Sequence, residues 1–586
     1  MLNENKSKKI LLLYSLIGFG FFIFLAVMLL NVLKSRDLPS LYTSDSSKAA
    51  RGSIISADGF HVATTIKLYK AVVNTHYIDP EKKELFIELF SVYSGIDAQE
   101  IRKKLDQRKG VVVLSYLIPE IQAQYLKKLA YDLRDYKVFI ERKNPRTGLR
   151  MLHGLSILES GESREYPYED LLTPVIGYSH KLEDNGYTRI RGVKGLEKRF
   201  DVELSARQDG SSLGQRDVNN YIILNKNSFT KPEINGLDIK LTIPVALQIK
   251  IERMLDKMKT QLDATQIMIA IMNPKDGKIL SIASSNRFMP KNIQPQDYEA
   301  LNSGVTEYSF EPGSVVKVIT FSILLDKGRI SPYEMVNGYN GRFKLGSKVI
   351  TDEHKFGMLS AEDVIVHSSN IGISQLAQKM SGHEFHQGLQ DFGFSKRSTP
   401  DLIYERTGSI PSPKRLDNDV YRGTCSYGYG MKANLMQLLR AYSAFDNNGK
   451  IVTPKIVNNF IDEHGRNIPI VDEETIQVIK PATAQRVKEI LIKTVNEGTG
   501  IKAITPGLEV GGKTGTAHIV EDGKYVRKYN TAFMGFANDD TNKYTIGVIV
   551  IKPQSSQFAS LTSVPVFKAA VDILVEDGYL KPNIIE

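Results

Sequence analysis

The chain has 586 residues, 42% of them apolar and 24% charged, a globular composition that excludes wholesale disorder and gives room for two or three domains. Its 76 basic and 66 acidic residues give a net charge of +10, but the signs are interspersed and no basic block is interleaved with aromatics, so no nucleic-acid partner is expected. The one cysteine, Cys425, cannot staple the fold or build a cysteine-type metal site, and it reads as a small core residue.

Residues 1–9 form a tail carrying Lys6, Lys8 and Lys9. From Ile10 to Leu33 the chain is apolar apart from Tyr14, Ser15, Gly18, Gly20 and Asn31. As a helix this run is about 36 Å long, enough to cross a hydrocarbon core of about 30 Å. A cleaved signal peptide would have a shorter apolar region, and the nearest small-x-small site, Ser47-Lys48-Ala49, lies too far downstream. An uncleaved transmembrane helix over 10–33 is therefore expected. Lys34 and Arg36 follow it, so the charge asymmetry is mild, but it favours a cytoplasmic tail. The chain then reads as a single-pass protein of the cell inner membrane with everything after Lys34 on the periplasmic side.

Residues 34–50 are polar and small and are expected to form a linker. Residues 51–236 mix short strands with charged helical stretches, such as Pro80–Leu105, where Leu85, Phe86, Leu89 and Phe90 recur at helical spacing. They read as an irregular α+β pedestal domain. From 237 the texture changes. Leu237–Ile243 alternates like a strand, and Pro244 opens a helix to about Leu262. Ile267–Asn273 and Lys278–Ser284 are apolar strands joined by Pro274-Lys275-Asp276-Gly277, a hairpin signal. The middle, about 300–500, is helical in pattern. Strands return at Glu509–Ile519, Tyr529–Ala537 and Tyr544–Lys552, and an amphipathic helix covers about Val564–Val575. The economical fold for 237–578 is one antiparallel sheet flanked by helices, with a helical subdomain beside it. Residues 579–586 are a tail. The fold class is α+β, multidomain.

Three motifs carry chemistry. In Glu311-Pro312-Gly313-Ser314-Val315-Val316-Lys317, Pro-Gly marks a turn and Ser314 begins an apolar helical run. Residues i and i+3 on a helix lie about 5–6 Å apart on one face, so Lys317 stands one turn from the Ser314 hydroxyl. A serine needs a base to take its proton, and a lysine serves if burial lowers its pKa. S-x-x-K also arises by chance on exposed helices, but here Lys317 sits inside an apolar run. Ser368-Ser369-Asn370 precedes another helical run; in isolation it reads as a helix cap. In a catalytic site Ser368 is placed to relay a proton between Lys317 and a leaving amine, and Asn370 to hold a substrate carbonyl or the lysine. Lys513-Thr514-Gly515-Thr516 lies in a predicted strand, where Gly515 signals a close approach by other backbone. An edge strand accepts an extended peptide, and Lys513 with the two threonines suits a carboxylate.

Two rivals fail. Gly507-Leu508-Glu509-Val510-Gly511-Gly512-Lys513-Thr514 matches G-x-x-x-x-G-K-[ST], but a phosphate loop needs a strand before it and a helix after it, and here strand–turn–strand follows. His383-Glu384-Phe385-His386 lacks zinc-protease spacing and a third ligand, so no metal is expected.

Ser-x-x-Lys, Ser-x-Asn and Lys-Thr-Gly, in this order on helix, loop and strand, form the set of penicillin-recognising serine enzymes. The chain resembles class B penicillin-binding proteins from end to end. Arg51-Gly52-Ser53-Ile54 with Asp58-Gly59, Arg164-x-Tyr166-Pro167, and Gly192-x-x-Gly195-Leu196-Glu197 resemble that class's N-terminal signatures, although Ser53–Ala57 lacks the usual basic residue before the glycine turn. Tyr427-Gly428-Tyr429-Gly430 with Gln437-Leu438 resembles its catalytic-domain loop and helix. The chain has no room for the glycosyltransferase domain of class A. Within class B, Glu311-Pro312-Gly313-Ser314 and Ser369–Ser374 are more similar to the division-specific septal type than to the elongation type.

The resemblance implies a peptidoglycan D,D-transpeptidase. Ser314 would attack the penultimate D-alanine carbonyl of a stem peptide, activated by Lys317. Ser368 and Asn370 would assist proton transfer and positioning, and Lys513, Thr514, Gly515 and Thr516 would bind the substrate carboxylate. The backbone N–H groups of Ser314 and Thr516 would form the oxyanion hole. β-Lactams would acylate Ser314, and with no motif for a deacylating carboxylate the adduct should persist. No metal or organic cofactor is implied; a lipid-linked glycosyltransferase and division proteins are the implied membrane partners. An elongation-type enzyme, a membrane-bound β-lactam sensor or β-lactamase on the same fold, and a catalytically idle division scaffold are the alternatives.

Overall fold

The computed structural model describes residues 2–33, 42–140, 142–143, 150–151, 154–184, 186–216, 222–471, 473–521 and 523–583. The N-terminal run forms one unbroken helix, α1 (Leu2–Leu33), and none of its apolar window is buried among the described residues. A helix apolar all round has the length and composition to cross a membrane.

Of the expected linker, residues 34–41 lie outside the described residues. Its remainder departs from the expectation. Tyr42–Ser47 is a strand, antiparallel to Gly210–Arg216 with Ser44 opposite Leu213. Tyr, Thr and Ser tolerate the extended conformation, and a partner far along the chain supplies the ladder, which local composition cannot reveal.

The chain forms two compact units. The smaller comprises Met1–Lys48, Leu68–Ser160 and Asp209–Glu233; the larger comprises Ala49–Lys67, Gly161–Gln208 and Ile234–Glu586. In the smaller unit the strand Val111–Pro119 runs antiparallel to the second half of His61–Asn74. Helices Lys83–Ser94, Ala98–Gln107 and Glu120–Asp135 join it around a core that includes Phe86, Phe90, Ile101 and Leu126. The helical pattern read over Pro80–Leu105 is thus two helices. Gly95, at φ +73, ends the first with a left-handed cap, and the Asp97 carboxylate accepts from Gln99 N–H to start the second.

In the larger unit, α2 (Val245–Leu262) leads into β1 (Gln266–Met272) and β2 (Ile279–Ser284). Much later come β3 (Glu509–Glu521), β4 (Lys524–Asn538) and β5 (Lys543–Ile551). They form one antiparallel sheet in the order β2-β1-β5-β4-β3. The early hairpin joins the late meander through β1 and β5, with Ile269 opposite Val548. The reason is legible in β1 itself. Ile267, Ile269 and Ile271 enter the core made with α2 and the C-terminal helix, while Met268, Ala270 and Met272 enter the other core. Alternate residues of a strand face opposite sides, so an unbroken apolar run needs cover on both.

The N-terminal signature residues fall in the same unit. Buried Glu197 accepts from Arg51 Nη2 at 2.8 Å and from Arg164 Nε at 2.7 Å, so one carboxylate clamps two guanidiniums. Removing Glu197 would strand two buried cations.

Candidate active site

The first motif builds a short 3-10 turn, Gly313–Val315, feeding α3 (Val316–Asp326). Residues 316–324 are all buried, which fits a helix apolar on every face. Lys317 is in this stretch and is fully buried. Gly313 has φ +61, and a Cβ there would lie 2.9 Å from the Thr516 carbonyl oxygen. From another side, the buried Tyr442 hydroxyl of α5 (Leu435–Asp446) donates to the Val315 carbonyl at 2.7 Å.

The third motif lies on β3, the sheet's edge strand. The close approach expected at Gly515 comes from the turn that carries Ser314. A Cβ on Gly515 would stand 2.9 Å from Val315 Cγ1 and 3.0 Å from the Pro312 carbonyl oxygen. The absence of that Cβ lets Ser314 and the Lys513–Thr516 edge share one cleft.

The second motif precedes α4 (Asn370–Leu376) and divides its labour. Ser369 is the cap: its hydroxyl accepts from Gly372 N–H at 2.8 Å. Ser368, at φ +60, is in the left-handed region that a non-glycine residue rarely occupies. There Lys317 Nζ donates to the Ser368 carbonyl at 2.5 Å and its hydroxyl at 3.1 Å. Asn370 Nδ2 donates to the Thr351 carbonyl at 3.0 Å. The cap and the contact with Lys317 thus fall on adjacent serines, Ser369 and Ser368.

A cleft of about 310 Å3 is lined by Ser314, Ser368, Asn370, Thr514 and Thr516, with Asp352, Glu353, Tyr429 and Thr499 among its other walls. Lys317 and Lys513 are fully buried. Burial lowers Lys317 to about 7, against the opposing pull of Asp352 and Glu353. Burial, and then repulsion from Lys317, holds Lys513 well below the usual lysine range. The nearest acceptors to Lys513 Nζ are distant, Thr514 Oγ1 at 3.4 Å and its carbonyl at 3.5 Å. Among the described residues no hydrogen bond holds the Ser314 hydroxyl, which is partly exposed to the cleft. A nearby amine that is neutral around pH 7 suits proton abstraction from such a hydroxyl.

Sequence reasoning missed two supporting groups. Asp352 accepts from Ser369 Oγ and Asn370 N–H, each at 2.6 Å, and from Ile371 N–H at 3.1 Å, so it fixes the loop carrying Ser368. Thr499 Oγ1 lies 2.7 Å from Thr514 Oγ1. Neither belongs to a motif; Asp352 follows the strand Lys348–Thr351, and only tertiary pairing brings it to the loop. Among the described residues no cluster of three or more potential metal ligands occurs, and His386 Nδ1 lies 2.8 Å from the Pro411 carbonyl oxygen.

Comparison with known proteins matches residues 267–572 to the penicillin-binding protein transpeptidase domain and residues 46–241 to the penicillin-binding protein dimerisation domain. Stage V sporulation protein D of Bacillus subtilis is 30% identical over 433 residues, 71% of this chain and 64% of that protein, just under two thirds of its length. Peptidoglycan D,D-transpeptidase FtsI of Escherichia coli is 26% identical over 444 residues, 74% of this chain and 70% of that protein. Penicillin-binding protein 3 from Mycobacterium tuberculosis, solved with aztreonam, superposes with a TM-score of 0.65 at 21% identity, over 92% of this chain and 98% of that one.

Proposed function

The chain belongs to the class B penicillin-binding proteins, and from that premise we propose that it is a membrane-anchored peptidoglycan D,D-transpeptidase that works through a Ser314 acyl-enzyme in septal wall synthesis. The observation that carries the reading is Lys317: buried, lowered to about 7, one helical turn from Ser314, and bound to Ser368 across the cleft from the β3 edge.

In this mechanism the neutral Lys317 amine takes the Ser314 proton as Oγ bonds to the penultimate D-alanine carbonyl carbon. The oxyanion is held by the backbone N–H groups of Ser314 and Thr516, a contribution of about 10²–10³ in rate per donor. The tetrahedral adduct collapses and the C–N bond to the terminal D-alanine breaks. Its amine takes the proton from Lys317 through Ser368. An acceptor amine then attacks the ester carbon and gives up a proton through Lys317; the C–Oγ bond breaks, the new amide leaves, and Ser314 Oγ takes that proton. Asn370 holds the donor's amide. Lys513, Thr514 and Thr516 receive the terminal carboxylate, with Gly515 keeping the edge close to the nucleophile. β-Lactams, which present a comparable carboxylate and strained carbonyl, acylate the same oxygen.

The septal assignment is supported by the motif contexts and the similarity to FtsI. The basic tail supports a cytoplasmic N-terminus with the catalytic unit in the periplasm. Residues 51–236 serve as the pedestal and 237–578 as the transpeptidase domain; a lipid-linked glycosyltransferase and division proteins are its membrane partners. The test is intact mass spectrometry of the full chain with benzylpenicillin. One stable adduct mapping to Ser314 and absent in Ser314→Ala supports the proposal. Rapid release of hydrolysed drug supports the β-lactamase alternative instead, and no adduct supports an idle scaffold.

A further inference from the structure

A second groove, of about 410 Å3, opens beside the Ser314 cleft and shares Thr351, Asn370, Tyr429 and His518 with it. Lys348 and Arg527, both exposed, also line it. Among the described residues neither has an ion-pair partner, whereas the neighbouring Lys528 is paired with Glu521 at 3.0 Å. None of the described residues lining the groove is acidic. Asp352 and Glu353, by contrast, line the Ser314 cleft. One wall is a chain of tyrosine rings, Tyr427 against Tyr429 and Tyr429 against Tyr525, each pair edge-on with centroids 5.6 Å apart.

The direction of the donor follows from the site. Its terminal carboxylate lies at Thr514 and Thr516 and its upstream amide at Asn370, so the chain N-terminal to the scissile bond leaves the cleft past Asn370, into this groove. Lys348 stands three residues beyond Thr351 on the strand Lys348–Thr351, about 10 Å along at about 3.3 Å per residue. Counting back from the scissile bond, a stem peptide presents D-alanine, the diamino acid and then γ-linked D-glutamate with a free side carboxylate. An extended chain puts that carboxylate about 10 Å upstream. We propose that the groove seats the upstream half of the donor stem peptide, the tyrosine wall taking the diamino acid's methylenes and Lys348 and Arg527 taking the D-glutamate carboxylate. The enzyme would thus distinguish the free acid from its amide. This rests on the transpeptidase reading above and adds a specificity determinant to it.

The test uses the full chain in detergent and two synthetic stem-peptide thioester donors, one with D-isoglutamate and one with D-isoglutamine, each scored by acylation of Ser314. Exposed charge pairs are worth little singly, so the wild type is expected to favour the free acid by about tenfold in kcat/KM through KM. In about 1 M salt, where the screening length falls to about 3 Å, the preference should fade. Lys348→Gln with Arg527→Gln should abolish the preference and leave benzylpenicillin acylation within about twofold, and Lys348→Arg with Arg527→Lys should restore it. Equal rates for the two peptides in the wild type, or an equal loss for both in the Gln variant, overturns the proposal. Acylation by penicillin but by neither peptide also overturns it, leaving the acyl-enzyme standing. Failure of the wild type to react with penicillin removes the reading beneath it.

Discussion

Helix α3 and edge strand β3 each bury a lysine without a carboxylate partner at contact distance, and they provision it differently. Lys317 donates to the Ser368 carbonyl and hydroxyl and feels Asp352 and Glu353. Among the described residues Lys513 has long hydrogen bonds to Thr514 alone, and burial and then the like charge of Lys317 lower its pKa. The difference separates their tasks. An amine with hydrogen-bond acceptors and a pKa near neutrality can take and return a proton. A buried amine whose charged form is disfavoured at rest is stabilised as the cation when an anion arrives beside it. In the proposed mechanism the first is the base of the resting enzyme and the second the receptor for the substrate carboxylate.

That contrast can be broken most severely at the nucleophile. Ser314→Ala should abolish the penicillin adduct while circular dichroism stays native. Next comes Lys317→Arg, which keeps the charge but removes any base, since a guanidinium does not deprotonate in this range; the acylation rate should fall about 10²–10⁴-fold. Lys513→Met should cost less, because only carboxylate binding is lost. Its defect should fall on inhibitor affinity more than on the limiting acylation rate, read from the concentration dependence of acylation.

Asp352→Asn sharpens the comparison through pH. The Asp352 carboxylate raises the Lys317 pKa, so removing it stabilises the neutral amine and lowers that pKa further. The acid limb of the acylation profile should move to lower pH, while looser anchoring of Ser369 slows the plateau rate severalfold. A limb that moves upward contradicts the coupling. The smallest effect expected is from Tyr442→Phe. It removes one hydrogen bond to the Val315 carbonyl and should lower stability by about 0.5–1.5 kcal/mol in denaturant titration, with a modest loss of acylation rate.

The sequence exposed what is local or periodic. Ile267–Asn273 read as an apolar strand of a hairpin, and S-x-x-K on an apolar helix placed an amine one turn from a hydroxyl. The antiparallel sheet followed from early and late strands with a helical insert between them. What stayed hidden depends on distant partners. Gly515 signalled a close approach but not its source, the turn at Pro312–Val315. Asp352 follows an unremarkable strand, and only its three hydrogen bonds around Ser369 give it a role. Tyr442 reads as one more core aromatic until its hydroxyl is seen under the nucleophile. The Tyr42–Ser47 strand needed Gly210–Arg216, far along the chain.

The most direct test is the pH dependence of the second-order rate of acylation of the full chain by benzylpenicillin. With Lys317 as the base and its pKa at about 7, the rate should fall by about tenfold per pH unit below neutrality and return on readjustment. A rate that stays level down to about pH 5 in folded protein would show that Ser314 is activated by something other than this amine.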